Sequence, residues 1–344
     1  MNMKGAFLYG QKDLRLKEVE KPILNEGEAL IKVKAAGICG SDVHYYLEGK
    51  TAKFIPKHPF ILGHEFSGII EESTKEEFKS GDRVVIEPQI PCFKCYYCRS
   101  GRYNLCDNLK FIGTAASFPH INGGFAEFCK VPVEILHRIP NDLKFEEATL
   151  AEPLSVAIHA CRRGAIRIGE KVLILGAGPI GLFTLIIAKL SGAEEIIIVD
   201  NIDKRLKLAE EFGGYPINFS KNDVFEEVMK LTNGKGIDLV FEASGSSKAI
   251  PVALKCVCKG GRVVLIGNLP DEDVPSRLIN IITKELDVRG IMRYVNTFDI
   301  AIKLLSKKLI PSSKIITHVF NLEEIHKAFD VIIKGEALKV IVKP

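Results

Sequence analysis

The chain has 344 residues, 47% hydrophobic and 26% charged, a balance that suits a folded protein and excludes a disordered chain, a fibrous repeat or a disulfide-stapled mini-protein. At ~100–200 residues per domain, this length predicts two domains. Forty-seven basic against 43 acidic residues leave a net charge of +4, too small to call for nucleic acid or an anionic membrane as partner.

The first residues, Met1-Asn2-Met3-Lys4-Gly5, carry no apolar run, so no export signal is expected. The apolar stretch 180–188 is far shorter than the ~20 residues a membrane-spanning helix needs. Nine cysteines without an export signal suggest the reducing cytoplasm, where clustered thiols point to metal before disulfides.

Up to about residue 153, short β-rich runs at 28–34, 84–87 and 125–131 are broken by loops rich in Gly, Pro and Cys. This predicts an irregular, mostly antiparallel β domain over residues 1–153. Cys39 lies in Ala-Gly-Ile-Cys-Gly-Ser-Asp-Val-His, and His64 with Glu65 in Leu-Gly-His-Glu-Phe. One thiolate, one imidazole and one carboxylate leave a fourth tetrahedral position for water or substrate. Taken singly, Cys39 reads equally as a small buried hydrophobe and His64 as a core histidine. The glycines around both motifs, and the cofactor fold downstream, turn the reading toward a metal. Ser41 and His44 form a candidate relay for a proton leaving toward solvent, and His44 also reads as an exposed loop histidine.

Cys92, Cys95, Cys98 and Cys106 follow in one loop. Two-residue gaps let successive thiolates converge on one cation, and the longer gap before Cys106 lets the chain fold back as the fourth arm. Four sulfur ligands close the coordination sphere, which predicts a structural zinc site.

After residue 153 the pattern alternates. Strands are predicted at 171–175, 195–200, 237–242 and 262–266, and helices at 180–190 and 204–212. Continuous Val/Ile/Leu strands between helices predict a doubly wound parallel sheet over 154–290. Gly176-Ala177-Gly178-Pro179-Ile180-Gly181 follows the first strand and opens the first helix, the context a dinucleotide fingerprint needs. The first glycine makes the tight turn, the second admits the pyrophosphate and the third lets helix and strand pack closely. Asp200, ending the next strand, can accept both hydroxyls of an adenosine ribose and would repel a 2′-phosphate, which favours NAD over NADP. Arg205 lies close enough to stack on the adenine edge and leaves room for NADP. Residues 291–344 are mixed, with a helix at 322–329 and a strand at 337–342, and are expected to rejoin the first domain.

Together these motifs resemble the zinc-dependent medium-chain dehydrogenase/reductase superfamily, and within it the polyol dehydrogenases typified by sorbitol (L-iditol 2-) dehydrogenase. The likeness also rests on residues 37–45, 62–65, 152–160 and 293–297, and runs over nearly the whole chain. The resemblance implies a GroES-like catalytic domain plus a Rossmann NAD-binding domain, and two zinc ions per chain. It implies a catalytic zinc on Cys39, His64 and Glu65, with Glu152 as a partner of zinc-bound water or an alternative ligand. It also implies substrate contacts from Tyr45, Phe54, Phe111, Thr114, Glu152, Arg293 and Tyr294. NAD contacts are implied for Gly176, Gly178, Ile180, Gly181, Asp200, Arg205, Gly267, Ile291, Met292 and Arg293. The expected activity is oxidation of a secondary hydroxyl of a sorbitol-, xylitol- or L-iditol-type polyol to a ketone by a cytoplasmic homotetramer. Residues 111–120 also resemble L-idonate 5-dehydrogenases, so a sugar acid is an alternative substrate. L-threonine 3-dehydrogenase is a further neighbour, a zinc-free NADPH quinone or enone reductase a more distant one, and a non-enzymatic lens-type protein a rival of another class. His58, His120, His137, His159, His318 and His326 lack partner constellations and read as structural or surface residues.

Overall fold

The structure is a computed structural model that describes residues 2–344. It divides into two compact units, one made of the chain up to Glu152 together with Phe298–Pro344, the other of Pro153–Thr297.

The first unit is built mainly from antiparallel strands. β1 (Asn2–Gly10) and β2 (Asp13–Glu20) form a hairpin, and β3 (Glu28–Gly37) runs into α1 (Gly40–Glu48). β4 (Phe60–Ile61) pairs with β1, and β5 (Glu65–Ser73) lies between β3 and β6 (Arg83–Ile86). β7 (Gln89–Ile90) pairs with β8 (Lys110–Phe111) and closes off a lobe holding the single-turn α2 (Tyr96–Arg99). β9 (Phe128–Pro132) adds to β3, β10 (Leu136–Arg138) to β6, and α3 (Phe145–Ala148) follows. Inward side chains such as Ile31, Phe66, Phe125, Phe329 and Val340 share one core. Each such side chain contributes ~1.5–3 kcal/mol by leaving water.

The second unit begins within α4 (Ala151–Gly164). β11 (Lys171–Leu175), α5 (Pro179–Leu190), β12 (Glu195–Asp200), α6 (Asp203–Glu211), β13 (Tyr215–Asn218) and α7 (Val224–Leu231) come next. β14 (Ile237–Glu242), α8 (Ala249–Cys256), β15 (Val257–Leu265), α9 (Ile279–Thr283) and β16 (Asp287–Gly290) complete it. The six strands are all parallel, in the order β13-β12-β11-β14-β15-β16. This is the doubly wound order in which the chain reverses direction beside β11, where nucleotides bind. Leu173, Ile197 and Val240 are fully buried, as continuous apolar runs in a parallel sheet require.

Residues 291–297 stay with the parallel unit, tied by Arg162 donating to the Asn296 carbonyl (2.8 Å) and Thr297 Oγ1 to the Ser155 carbonyl (3.2 Å). The chain then returns to the first unit through α10 (Phe298–Ser306), α11 (Ser312–Ile315), β17 (Ile316–Asn321), α12 (Ile325–Ile333) and β18 (Lys339–Lys343). β18 sits inside the sheet, antiparallel to β3 and parallel to β17. Among the described residues no helix is long and apolar enough to cross a membrane.

Candidate active site

Pairing of β3 with β5 sets Gly37 opposite Glu65, which brings the segment after β3 beside the segment before β5. Cys39, the N-cap of α1, thereby meets His64 and Glu65, and their ligand atoms all lie within 4.8 Å of one another. His64 and Glu65 are buried. A Cβ at Gly37 would collide with the Glu65 carboxylate, so any larger residue here would displace it.

Two further charged groups surround this trio. Asp42, fully buried on α1, accepts the Cys39 N–H on Oδ2 (2.9 Å) and sets Oδ1 3.6 Å from His64 Nδ1. Burial opposes a charged His64, but Asp42 and Cys39 outweigh it and hold the imidazole pKa well above its usual value. Lys339, the first residue of β18, is buried, forms an ion pair with Glu65 Oε2 and donates to the Ile38 carbonyl (3.0 Å). Burial disfavours its charge too, and Glu65 and Cys39 more than restore it. Glu65 Oε1 is buried with no hydrogen-bond partner. A buried acceptor left so costs about 1–3 kcal/mol unless something supplies positive charge. Sulfur, nitrogen and a waiting carboxylate oxygen form the mixed donor set of a catalytic zinc site, so these residues fit that ion. Glu152, buried in the first turn of α4, adds negative charge near Lys339 but stands outside the compact group of three.

Cys92, Cys95, Cys98 and Cys106 form the second compact group, again with sulfurs within 4.8 Å of one another. Backbone N–H groups of Lys94 and Cys95 aim at the Cys92 sulfur and lower its pKa to about 6. Burial pushes Cys98 up to about 12. Cys106 accepts the N–H groups of Cys92 (3.2 Å) and Asn108 (3.4 Å). Four sulfurs, some already disposed to ionise, suit a closed zinc site.

The dinucleotide loop joins β11 to α5. A Cβ on Gly181 would collide with the Gly176 carbonyl, so the third glycine is needed for helix and strand to close up. A Cβ on Gly178 would meet nothing of the protein, so its absence matters only to an incoming group, as a pyrophosphate cradle requires. Pro179 fills the first helical position and Ile180 follows it. Asp200 Oδ2 accepts the Ala177 N–H (2.8 Å), and Oδ1 accepts those of Asn201 (2.9 Å) and Ile202 (3.0 Å). The Arg205 guanidinium stands 3.9 Å from Asp200. Gly267 closes tightly on Gly245, and Ile291 hydrogen-bonds Leu265 at the end of β15 (3.1 Å). Met292 is half-exposed, Arg293 adopts a left-handed backbone (φ 53°) and Tyr294 is fully buried.

Of the remaining sequence candidates in the first unit, the Phe111 ring stands against His64 (5.7 Å between centroids). Thr114 is buried beside Ala115, whose N–H donates to the Tyr45 hydroxyl (3.2 Å). Tyr45 is therefore anchored in the core, and Phe54 packs against its edge. Ser41 accepts the Thr51 hydroxyl through its carbonyl, and His44 is exposed with Nδ1 2.7 Å from Glu48. The other six histidines join neither metal group. Sequence reasoning passed over Asp42 and Lys339. Asp42 carries a local signal, an acid three residues past a helix N-cap. Lys339 carries a weaker one, a lone cation opening the run Val-Ile-Val.

Residues 25–141 match the family described as Alcohol dehydrogenase GroES-like domain, and residues 179–307 the one described as Zinc-binding dehydrogenase. Sorbitol dehydrogenase from Bacillus subtilis (strain 168) is 37% identical, covering 100% of this chain and 98% of its own. L-idonate 5-dehydrogenase from Vitis vinifera is 38% identical, over 98% of this chain and 93% of its own. Among solved structures, a zinc-binding dehydrogenase from Sinorhizobium meliloti 1021 bound to NADP superposes with a TM-score of 0.91 at 31% identity, covering 100% of both chains. A short chain alcohol dehydrogenase from E. coli CFT073 complexed with NADH superposes with a TM-score of 0.90 at 31% identity, covering 100% of this chain and 99% of its own. An open thiolate–imidazole–carboxylate centre, a four-cysteine lobe and a dinucleotide loop thus coincide with full-length likeness: the chain belongs to the zinc-dependent medium-chain dehydrogenases, among the relatives of sorbitol dehydrogenase.

Proposed function

We propose that the chain oxidises a secondary hydroxyl of a polyol, of the sorbitol, xylitol or L-iditol type, to a ketone, with NAD as hydride acceptor and one proton released. The observation that carries this reading is the trio Cys39, His64 and Glu65, gathered with one buried carboxylate oxygen still unpaired. These three would hold the catalytic zinc, and Cys92, Cys95, Cys98 and Cys106 a structural one. A zinc ion bound to the trio supplies Lewis acidity toward the substrate hydroxyl. Asp42 orients His64 through Nδ1, and the α1 N-terminus fixes Cys39. Ser41 and the exposed His44, already paired with Glu48, are suited to pass the released proton to solvent. Tyr45, Phe54, Phe111, Thr114, Glu152, Arg293 and Tyr294 are each proposed to contact the substrate. Gly178 leaves room for the pyrophosphate, and Asp200 is proposed to accept the ribose hydroxyls. The chain is proposed to work in the cytoplasm as a homotetramer.

A second reading, oxidation of a sugar acid, is favoured by the likeness to L-idonate 5-dehydrogenase. Arg293 would then pair with the substrate carboxylate. The deciding experiment assays the zinc-loaded chain with sorbitol, xylitol, L-iditol, L-idonate and L-threonine, each with NAD and NADP. Turnover of a polyol with NAD at two zinc ions per chain is expected, with light scattering giving four chains. Preference for L-idonate selects the second reading. A zinc-free chain that reduces quinones with NADPH overturns both.

A further inference from the structure

We propose that Lys339 is a positioning residue that restrains Glu65 to offer a single oxygen to the metal. The proposal rests on the reading of Cys39, His64 and Glu65 as the catalytic zinc site.

A buried lysine is expensive. Lys339 is 2% exposed and opens a strand whose next three residues are Val-Ile-Val. If the position only needed filling, an apolar side chain would do so at lower desolvation cost. What the ammonium does there is specific. It meets Glu65 on Oε2 and donates to the carbonyl of Ile38, the residue just before Cys39. One cation is thus fastened to both segments that supply ligands, the end of β3 and the start of β5.

The consequence for Glu65 follows from its two oxygens. Oε2 is taken by Lys339, while Oε1 is buried with no hydrogen-bond partner. A carboxylate with both oxygens free can grip a dication with both, so that beside one sulfur and one nitrogen an incoming water or substrate oxygen would have to enter as a fifth donor. With Oε2 held, the protein gives three donors and the fourth position stays for substrate. Packing keeps the pair in register, because a Cβ at Gly37 would strike Glu65 Oε2 and stand 3.1 Å from Lys339 Cε.

The test compares the full chain with Lys339→Met, Lys339→Gln and Lys339→Arg, each loaded with cobalt(II) and, separately, with zinc. Four-coordinate cobalt gives intense visible bands, and a fifth donor weakens them. The four-cysteine site contributes equally to each protein and cancels in difference spectra. Lys339→Met is expected to keep NAD binding, to show weakened bands and to lower kcat/KM by about 10–100-fold, the usual scale for losing a group that orients a metal ligand. Lys339→Arg should recover both readouts in part. If Lys339→Met does not fold, Lys339→Gln carries the comparison, since it keeps a donor but loses the charge. A folded Met or Gln variant with an unchanged spectrum and kcat/KM overturns the proposal. The parent chain separates the two failures: if it takes up no cobalt beyond the four-cysteine site, or oxidises no polyol, the functional reading fails on its own.

Discussion

The Asp200 carboxylate holds the glycine loop, and it is also the group proposed to accept the ribose hydroxyls. Its oxygens already accept three backbone N–H groups, from Ala177, Asn201 and Ile202. The carboxylate therefore fixes the glycine loop as well as standing at the strand end where a ribose would bind. Asp200→Ala is expected to weaken binding of both dinucleotides by loosening that loop. It should weaken NAD further, because each hydrogen bond to a charged group contributes about 1.5–3 kcal/mol. The NAD-to-NADP ratio of kcat/KM is thus expected to fall ~10–100-fold, since 1.4 kcal/mol is a factor of ten. Measuring kcat/KM with both cofactors checks this, and a fall shared equally by the two would leave Asp200 a loop-fixing role only. Residues like this one were legible in the sequence because fingerprint, strand and acid are close along the chain. Asp42 and Lys339 were less so. Their importance comes from which buried atoms they touch, and no spacing rule reports that.

At the scale of elements, the four-cysteine lobe shows how little regular structure the fold spends there. α2 has four residues and no buried side chain, and the two-residue strands β7 and β8 close the lobe. Backbone N–H groups directed at Cys92 and Cys95 lower the pKa of both thiols. Cys95→Ser is expected to release one zinc per chain and to leave kcat of the folded, substrate-saturated enzyme nearly intact. Loss of a structural metal costs about 4 kcal/mol or more. At ~2–4 °C per kcal/mol for a unit of this size, the unfolding midpoint should drop by about 8–16 °C. Metal analysis with calorimetry checks the point, and loss of turnover without loss of thermal stability would contradict it. This lobe was readable because all four cysteines are close along the chain. The parallel strands were readable for a related reason, since burial on both faces leaves unbroken apolar runs such as residues 196–199. β15 is longer than its apolar core suggests, because Lys259, Gly260 and Gly261 carry the strand through polar and glycine positions.

At the scale of the molecule, the hardest thing to foresee was how the last segment is used. A return to the first unit was expected from the end of the strand–helix alternation. That β18 would insert between β3 and β17 was not, since pairing across so many residues leaves no periodic trace. His137 is another long-range tie of the same return. On β10, its Nδ1 is 2.7 Å from Asp299 in the first turn of α10, its Nε2 is 3.3 Å from Glu87, and its ring lies against Phe298 (4.8 Å). Burial lowers the pKa of this imidazole, but Glu87 and Asp299 outweigh burial and leave it raised above the usual histidine value. A raised native pKa means the folded state holds the proton more tightly than the unfolded one. Its contribution to stability is therefore complete below the unfolded value of about 6.5 and is lost as pH climbs through the raised native value. Asp299 is largely exposed, so solvent screens its share and the inner pair with Glu87 carries most of the effect. Comparing His137→Gln with the parent chain isolates the term, because pH effects on both metal sites are common to the two proteins and cancel. The parent should be more stable by about 1–2 kcal/mol at pH values below ~6, with the gap narrowing toward alkaline pH. Chemical unfolding of the zinc-loaded proteins across that range measures it. A gap that is constant with pH would mean that His137 joins β10 to α10 by packing on Phe298 alone, with no charge held between Glu87 and Asp299.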